Sequence, residues 1–414
     1  TVLAVVIQVV GPGKWSGMVI TVAVYALLLA LPDLGFENLL YGFQIPFVIY
    51  TDINGFGHYR VPTLSLAAYW SAFCALLLMV AHLFYARGPV VSVPERLSVA
   101  RRRMTRPLVT AAAVAGTMFV LLGGWIFYNT HVLNAYSTTE SRLAAQAEYE
   151  RLYSRYRNQP GPSLSSIDLG IDLYPEERRL VTRGHAVLRN NRASELREVI
   201  VSADPRLTFS SIRVAGATPV EQNPALGFYR FTLNAPQSPG ATLSLEWDGV
   251  RVNPGFVNSG DDTQIVSNGT YVELRGLMPI PAYDEDRELR DVAARRRLGL
   301  PAVPRLPALG DPAWLNTVGL GVDGRADLHL VASTSGDQMA VSSGRLVREW
   351  RTEGRHHFEY TTELPVWPTM PLVSARFAVS RDVWEGVSLE VYHHPDHTWN
   401  VPVMLDTAKK ALGY

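Results

Sequence analysis

Arg101–Tyr128, RRRMTRPLVTAAAVAGTMFVLLGGWIFY, decides how the rest of the chain is read. Its opening holds Arg101, Arg102, Arg103 and Arg106. The run Leu108–Tyr128 then carries no charged side chain and closes on Trp125, Phe127 and Tyr128. A helix needs about 20 mainly apolar residues to cross a bilayer, and aromatic rings favour the headgroup level. Leu64–Ala86 is a second run of this kind, with only Ser65, Ser71 and His82 as clear polar interruptions. Trp15–Leu31 is short for a span but uncharged, and Thr1–Val10 reads as the tail of another. The competing reading is a buried helix of a soluble protein; three uncharged runs weigh against it.

Charge sets the direction of travel. The segment Arg87–Arg106 carries Arg87, Arg96, Arg101, Arg102, Arg103 and Arg106 against Glu95 alone. The bias of basic residues toward the cytoplasm places that segment inside. Gly11–Gly17, with Lys14 and no acid, fits a second inside loop. Pro32–Thr63 carries Asp33, Glu37 and Asp52 with Arg60 its one strong base, and fits the outside. Leu108–Tyr128 then runs outward, and everything after about residue 129 is expected on the extracytoplasmic side.

Of the 414 residues 47% are apolar, crowded before Asn129, and the formal net charge is zero. No clustered basic surface of the kind nucleic acid requires follows from that balance. Cys74 is the only cysteine, so neither a disulfide framework nor a cysteine-based metal site can form within the chain. Thr1 opens inside an apolar run and Tyr414 falls inside a helix-forming stretch, so the sequence reads as an internal stretch of a longer protein.

Beyond the spans, Ser137–Asn158 reads as a helix, a juxtamembrane spacer packed on the next domain. Ser137 and Glu140 have capping-box spacing, and Tyr149, Leu152, Tyr153 and Tyr156 share one face. Gln159-Pro160-Gly161-Pro162 ends it. The period then becomes two: Ile167, Leu169, Ile171 and Leu173 alternate with Asp168, Gly170 and Asp172. Further runs at Leu180–Leu188, Glu198–Ser202, Leu207–Val214, Phe228–Leu233, Thr242–Val252, Asp327–Ser333, Arg345–Arg351, His356–Leu364, Leu372–Ser380 and Val387–Tyr392 predict an antiparallel sandwich. Asp284–Leu298, charged and β-branched only at Val292, reads as a surface helix.

Signals of chemistry are sparse. Gly319-Leu320-Gly321-Val322-Asp323-Gly324 has the spacing of a dinucleotide loop, but Arg325–Ala332 alternates like a strand, so these glycines read as a turn. No Walker-A, G-x-S-x-G or H-E-x-x-H sequence is present. His393, His394 and His397 cluster around Pro395, and His356 and His357 are adjacent. Adjacent residues of a strand point to opposite faces, and zinc needs three or four convergent ligands, so no metal site is assigned. His82, near the cytoplasmic end of its span, reads as snorkelling. Asn268-Gly269-Thr270 fits a glycosylation sequon, a short pattern.

Several stretches taken together resemble bacterial fusion proteins in which an ABC-exporter-like permease precedes a zinc aminopeptidase of the membrane alanyl aminopeptidase (gluzincin) family. They are Tyr128–Asn134, Ala147–Glu150, Ile167–Leu169, Leu173–Glu176, Asn268–Thr270, Tyr283-Asp284, Arg295–Pro301, Ser333–Gln338, Ser374–Phe377, Tyr392–Pro395 and Asn400–Pro402. The order of spans, spacer and sandwich is the stronger part of the likeness. The resemblance implies a multi-domain chain: α-helical transmembrane segments, the end of a permease-like domain, over 1–128, and a juxtamembrane helix and linker over 129–162. A saddle-like all-β domain over 163–396 and the start of a helical catalytic domain over 397–414 follow. It implies zinc held by residues beyond Tyr414, no cofactor in this stretch and no catalytic residue here. One loop of the β-domain is implied to reach the cleft for the substrate amine. By position the candidates are Asn268 and Glu273, for which an ordinary turn and strand is the competing role. The implied partners are the lipid bilayer of a bacterial inner membrane, a separate ABC ATPase subunit and, in the full-length protein, a peptide; nucleic acid is not among them. The alternative is a transporter permease subunit with a non-catalytic extracytoplasmic binding domain. A purely structural anchor has little to motivate it.

Overall fold

The uncharged runs form helices in the computed structural model, which describes residues 1–11, 13–45, 48–85, 92–157, 159, 161–258, 264–303 and 325–414. The chain divides into two units, one comprising Thr1–Ile49, His58–Glu140 and Pro254–Asp262, the other Tyr50–Gly57, Ser141–Asn253 and Thr263–Tyr414.

The first unit is helical: α1 (Val2–Val10), α2 (Lys14–Ala30), α3 (Arg60–Phe84), α4 (Val93–Arg103) and α5 (Arg106–Phe127), with a π-helical turn at Tyr128–Leu133. At that turn the Asn129 amide and the Thr130 hydroxyl donate to the Trp125 and Ile126 carbonyls, 2.9 Å each. Side chains that take i−4 carbonyls in this way compete with the backbone ladder. Rings hold α3 to α5: Tyr69 and Phe73 stack on Phe119 at 4.5 and 5.4 Å, while Trp70 stacks on Phe43 of the segment before α3 at 4.2 Å. Gly57–Phe84 and Arg106–Leu133 are long and apolar enough to cross a membrane by length and composition. Only 28% and 11% of their apolar stretches are buried, whereas a core helix of a soluble protein would be mostly covered.

The segment read as the loop Arg87–Arg106 contains α4. Ser92 and Glu95 close a reciprocal capping box and Pro94 sits in the first turn, a start signal that the run of arginines obscures in sequence.

The second unit holds the strands. β1 (Ser163–Tyr174), β2 (Arg179–Arg189), β4 (Thr208–Val214), β7 (Thr242–Val252), β9 (Asp327–Ser335), β11 (Arg345–Thr352) and β12 (Arg355–Thr361) form one sheet in the order β11-β12-β9-β1-β2-β7-β4. β3 (Leu196–Ser202), β5 (Ala217–Asn223) and β6 (Phe228–Gln237) form a second, ordered β3-β6-β5. β8 (Thr270–Glu273), β10 (Met339–Ser342) and β13 (Pro371–Ala375) form a third, ordered β10-β13-β8. β14 (Ala378–Trp384) and β15 (Val387–His393) make a hairpin against which α8 (Val401–Leu412) lies, tied by Lys409 to Asp382.

Alternation set the faces as expected. Ile167, Leu169, Ile171 and Leu173 of β1 are each at most 2% exposed in the core they share with Trp247 of β7. The indole lies so close to β2 that a Cβ on Gly184 would fall 2.1 Å from the ring, so only glycine fits there. Its N–H donates to Thr182, which donates to the Leu277 carbonyl, leaving neither buried group unsatisfied.

Four expectations need correction. The domain is mixed rather than antiparallel throughout, because β1 pairs with β9 in parallel, Ile167 opposite Leu328. β5 carries no strand signal because it is an edge strand with Pro219 at a break in register, a place where proline is tolerated. The single run Leu372–Ser380 is two strands: the Arg376 N–H donates to Asn268 Oδ1 at 2.7 Å instead of to a ladder, and the chain turns. Asp284–Leu298 is not a surface helix; only α7 (Val292–Arg297) is α-helical, and Arg295 within it is 4% exposed.

That arginine anchors α6 (Thr139–Tyr153). Arg295 Nη1 and Nη2 each donate to the Glu150 carboxylate at 2.7 Å, a bidentate pair whose side chains are 5% and 6% exposed. Tyr149, Tyr153 and Tyr156 are buried beside it as the helical spacing predicts, Tyr153 stacked on Phe228 at 3.7 Å; Leu152 turns outward. Breaking a buried pair strands the other charge, so Arg295→Met should cost about 3–5 kcal/mol. Urea unfolding followed by tryptophan fluorescence measures it, and Arg295→Met with Glu150→Met should recover much of the loss.

Candidate functional site

Strand β8 is four residues long, and its two ends define the polar features of the β-domain. At its start, five separate stretches meet. Asn268 donates through Nδ2 to the Ile53 carbonyl at 2.8 Å and accepts the Arg376 N–H. The Arg376 side chain reaches Asp337, Glu176 (3.2 Å) and the Ser267 carbonyl (3.3 Å). Beneath it Gln338, Thr334 and Ser374 are all 0% exposed. Gln338 Nε2 donates to the Ser267 carbonyl at 2.6 Å, the Ser374 hydroxyl donates to Gln338 Oε1 at 3.0 Å, and Thr334 and Ser374 share a 2.9 Å hydrogen bond. In a low-dielectric interior such a satisfied network is rigid and specific.

At the other end Glu273 lines a cavity of about 420 Å³, together with Asp204, Arg206, Arg251, Arg275 and Arg287. That volume lies in the ~300–1,000 Å³ range of small-ligand pockets. The wall is built by backbone: Ser202 and Ile280 exchange hydrogen bonds of 2.8 and 2.7 Å, and the Ala203 N–H donates to the Gly227 carbonyl at 2.9 Å. Gly227 has φ +54°, and a Cβ there would sit 1.9 Å from the Ala203 oxygen, so the wall requires glycine. Arg287 donates to the Ala203 and Gly227 carbonyls and covers the Tyr149 ring at 4.6 Å. Burial pushes that tyrosine's phenol up to about 12.

Charges of both signs line this space. Arg275 bonds Asp284 at 3.0 Å and Asp286 at 2.9 Å, and Arg251 donates to Gln264 at 2.7 Å. Asp204 accepts a two-pronged contact from Arg206, 2.6 Å at its shortest, and that residue's own N–H at 2.9 Å. Burial pushes the Asp204 carboxyl up, yet Arg206, with help from Arg251, outweighs burial and holds it below the usual carboxylate range. A cavity with carboxylates and guanidiniums side by side suits a ligand carrying both an ammonium and a carboxylate.

Of the two sequence candidates, Glu273 therefore lies on the cavity, while Asn268 stands at the opposite end of β8 with both ends of its amide occupied. A glycan on Asn268 would break the bond to Ile53. Sequence reading missed Asp204, Arg206, Arg251 and Arg287; no spacing links them, and the Ser202–Ile280 pairing brings them together.

The histidine groups 356–357 and 393–397 do not converge. His356 is buried between the Gln338 carbonyl (2.9 Å) and Glu349 (2.7 Å), while His357 stacks on Trp350 of β11. His393 contacts Ser380 at 3.1 Å, His394 lies against the His397 ring, and His397 faces Asp52 at 3.6 Å. Among the described residues no group of three or more His, Cys, Asp or Glu could hold a metal ion. The glycine pattern Gly319–Gly324 lies outside the described residues.

No family model matches the sequence, and no curated protein matches it. Among solved structures the chain is similar to an M1 zinc metallopeptidase from Deinococcus radiodurans, with 14% identity and a TM-score of 0.36 over 56% of this chain and 47% of that one. A mutant bound to a Tyr-ser-ala substrate, from the same organism, gives 14% and 0.35, and a two-domain mutant bound to L-tryptophan gives 14% and 0.36, with the same coverage. The chain spans about half the length of these proteins.

The depressed Asp204 carboxyl has a definite sign. The unfolded chain binds that proton more readily, so the stabilisation is complete above the ordinary carboxylate range and is lost as pH falls through the lower folded value. Denaturant midpoints measured down through acid should fall less steeply for Asp204→Asn than for the parent; equal slopes would show that Asp204 does not contribute.

Proposed function

We propose that the chain is the membrane-anchored, substrate-side part of a bacterial zinc aminopeptidase fused to an ABC-type permease. In this reading the helices of 1–128 belong to the permease end, and the β-domain of 163–396 faces outward. The observation that carries the reading is convergence. Glu176, Asn268, Asp337, Gln338, Ser374 and Arg376 belong to four of the stretches in which the resemblance resides, and they meet at the start of β8. Tyr149 and Glu150 likewise meet Tyr283, Asp284 and Arg295 from two further stretches. Chance likenesses scattered over more than 200 residues have no reason to touch one another.

Membrane insertion is supported by the exposed faces of the apolar helices: Val114, Val120 and Leu121 of α5 are 55%, 69% and 68% exposed. Apolar surface on that scale marks a lipid or protein contact. The two-signed cavity supports peptide binding, with Glu273 accepting the substrate ammonium. Zinc is held, in this reading, by residues other than these 414, and the part played by this chain is to bind and orient. The cavity equally suits the second reading, a permease whose outer domain binds a ligand without cleaving it.

Two measurements test the proposal. With Cys74→Ser as background, a membrane-impermeant maleimide should label Ser388→Cys in intact cells and Arg102→Cys only after permeabilisation. The reverse pattern would overturn the orientation. The purified 414-residue chain should release no amine from aminoacyl-anilides with or without added zinc; chelator-sensitive turnover would overturn the assignment of catalysis to other residues.

A further inference from the structure

The arginines of α4 fall into two groups with different partners. Arg96 donates to the Val10 carbonyl at the end of α1, at 3.0 Å. Arg103 donates to the carbonyls of His82 (3.1 Å), Leu83 (3.4 Å) and Tyr85 at the end of α3. The last carbonyls of a helix have no partner within it, so these two side chains cap two apolar helices at once. α4 therefore lies across the ends of α1 and α3, and α5 starts at Arg106, three residues past α4's end. If α1, α3 and α5 are spans, α4 occupies the level where hydrocarbon gives way to headgroups.

Its remaining surface is sorted for that position. Ala100 is buried, while Val93 and Leu97, one turn apart, are 70% and 53% exposed, and Met104, just past the helix end, is 55% exposed. Arg101 and Arg102, and Arg106 just beyond, are exposed. None of the three has a carboxylate within ion-pair distance among the described residues. Glu95, the one acid in residues 92–107, is spent in the capping box with Ser92. Exposed apolar side chains and exposed arginines on one short helix suit a position in the plane of an interface that carries negative charge.

We propose that α4 lies in the headgroup layer on the arginine-rich side of the bilayer and binds acidic phospholipid there through Arg101, Arg102 and Arg106. The proposal rests on the membrane reading given above. Arg96 and Arg103 are assigned to the helix ends, so the lipid contacts can be removed without uncapping α1 or α3.

The test uses the full chain. Extraction of expressed membranes with alkaline carbonate reports insertion alone, and the chain should stay in the membrane pellet. Affinity is then measured in detergent for fluorescent phosphatidylglycerol and phosphatidylcholine. The parent should prefer phosphatidylglycerol, and Arg101→Gln/Arg102→Gln/Arg106→Gln should lose about tenfold or more of that affinity with phosphatidylcholine unchanged, given the usual strength of basic contacts to an anionic surface. An unaltered melting temperature in the triple variant shows that the fold persists. Arg96→Gln/Arg103→Gln should lower the melting temperature while keeping the lipid preference. Equal phosphatidylglycerol affinity in parent and triple variant, or full displacement by inorganic phosphate, would overturn the lipid assignment while leaving insertion intact. Release by carbonate would overturn the membrane reading and this proposal with it.

Discussion

Strand β1 has neighbours of opposite sense: β2 runs antiparallel to it and β9 parallel. A parallel neighbour cannot be reached by a tight turn, so a long connection must separate Tyr174 from Asp327. That connection contains β2 to β8, the whole second sheet and α7. The 420 Å³ cavity lies within it, between the end of β3, the end of β7, β8 and the loop before α7. The pairing of Ile167 with Leu328 thus governs where every later feature of the β-domain can be.

What closes the connection is polar. Gln338, which follows β9, and Ser374 of β13 are completely buried; Ser374 donates to Gln338, which donates to the Ser267 carbonyl just before β8. Apolar contacts tolerate sliding; buried donors and acceptors do not, because a slip of one residue leaves them unsatisfied. The same logic applies to α6. Its tyrosines would pack in several registers, and the Glu150–Arg295 fork selects one. The pair contributes specificity at a desolvation cost that its geometry offsets.

In the helical unit the arginines divide their labour. Arg101, Arg102 and Arg106 stay exposed, while Arg96 and Arg103 donate to carbonyls at the ends of α1 and α3. One short helix therefore supplies partners to end carbonyls of two others, groups that have none within their own helix.

Periodicity is local, and what it reports was legible from residues alone: the apolar runs of α3 and α5, the alternation of β1, the tyrosine face of α6 and the division into a helical and a β-rich part. It also placed His356 and His357 on opposite faces, where they stand. Strand sense, the edge strand containing Pro219 and the break at Arg376 were not legible, because each depends on a partner distant in sequence. The candidate site follows the same rule. Glu273 could be named by position, but Asp204, Arg206, Arg251 and Arg287 become neighbours only when Ser202 pairs with Ile280. Composition alone determined where apolar and basic residues must go; which charges face one another across a cavity was decided by tertiary pairing, since the energy that joins them arises only when distant backbone segments exchange hydrogen bonds.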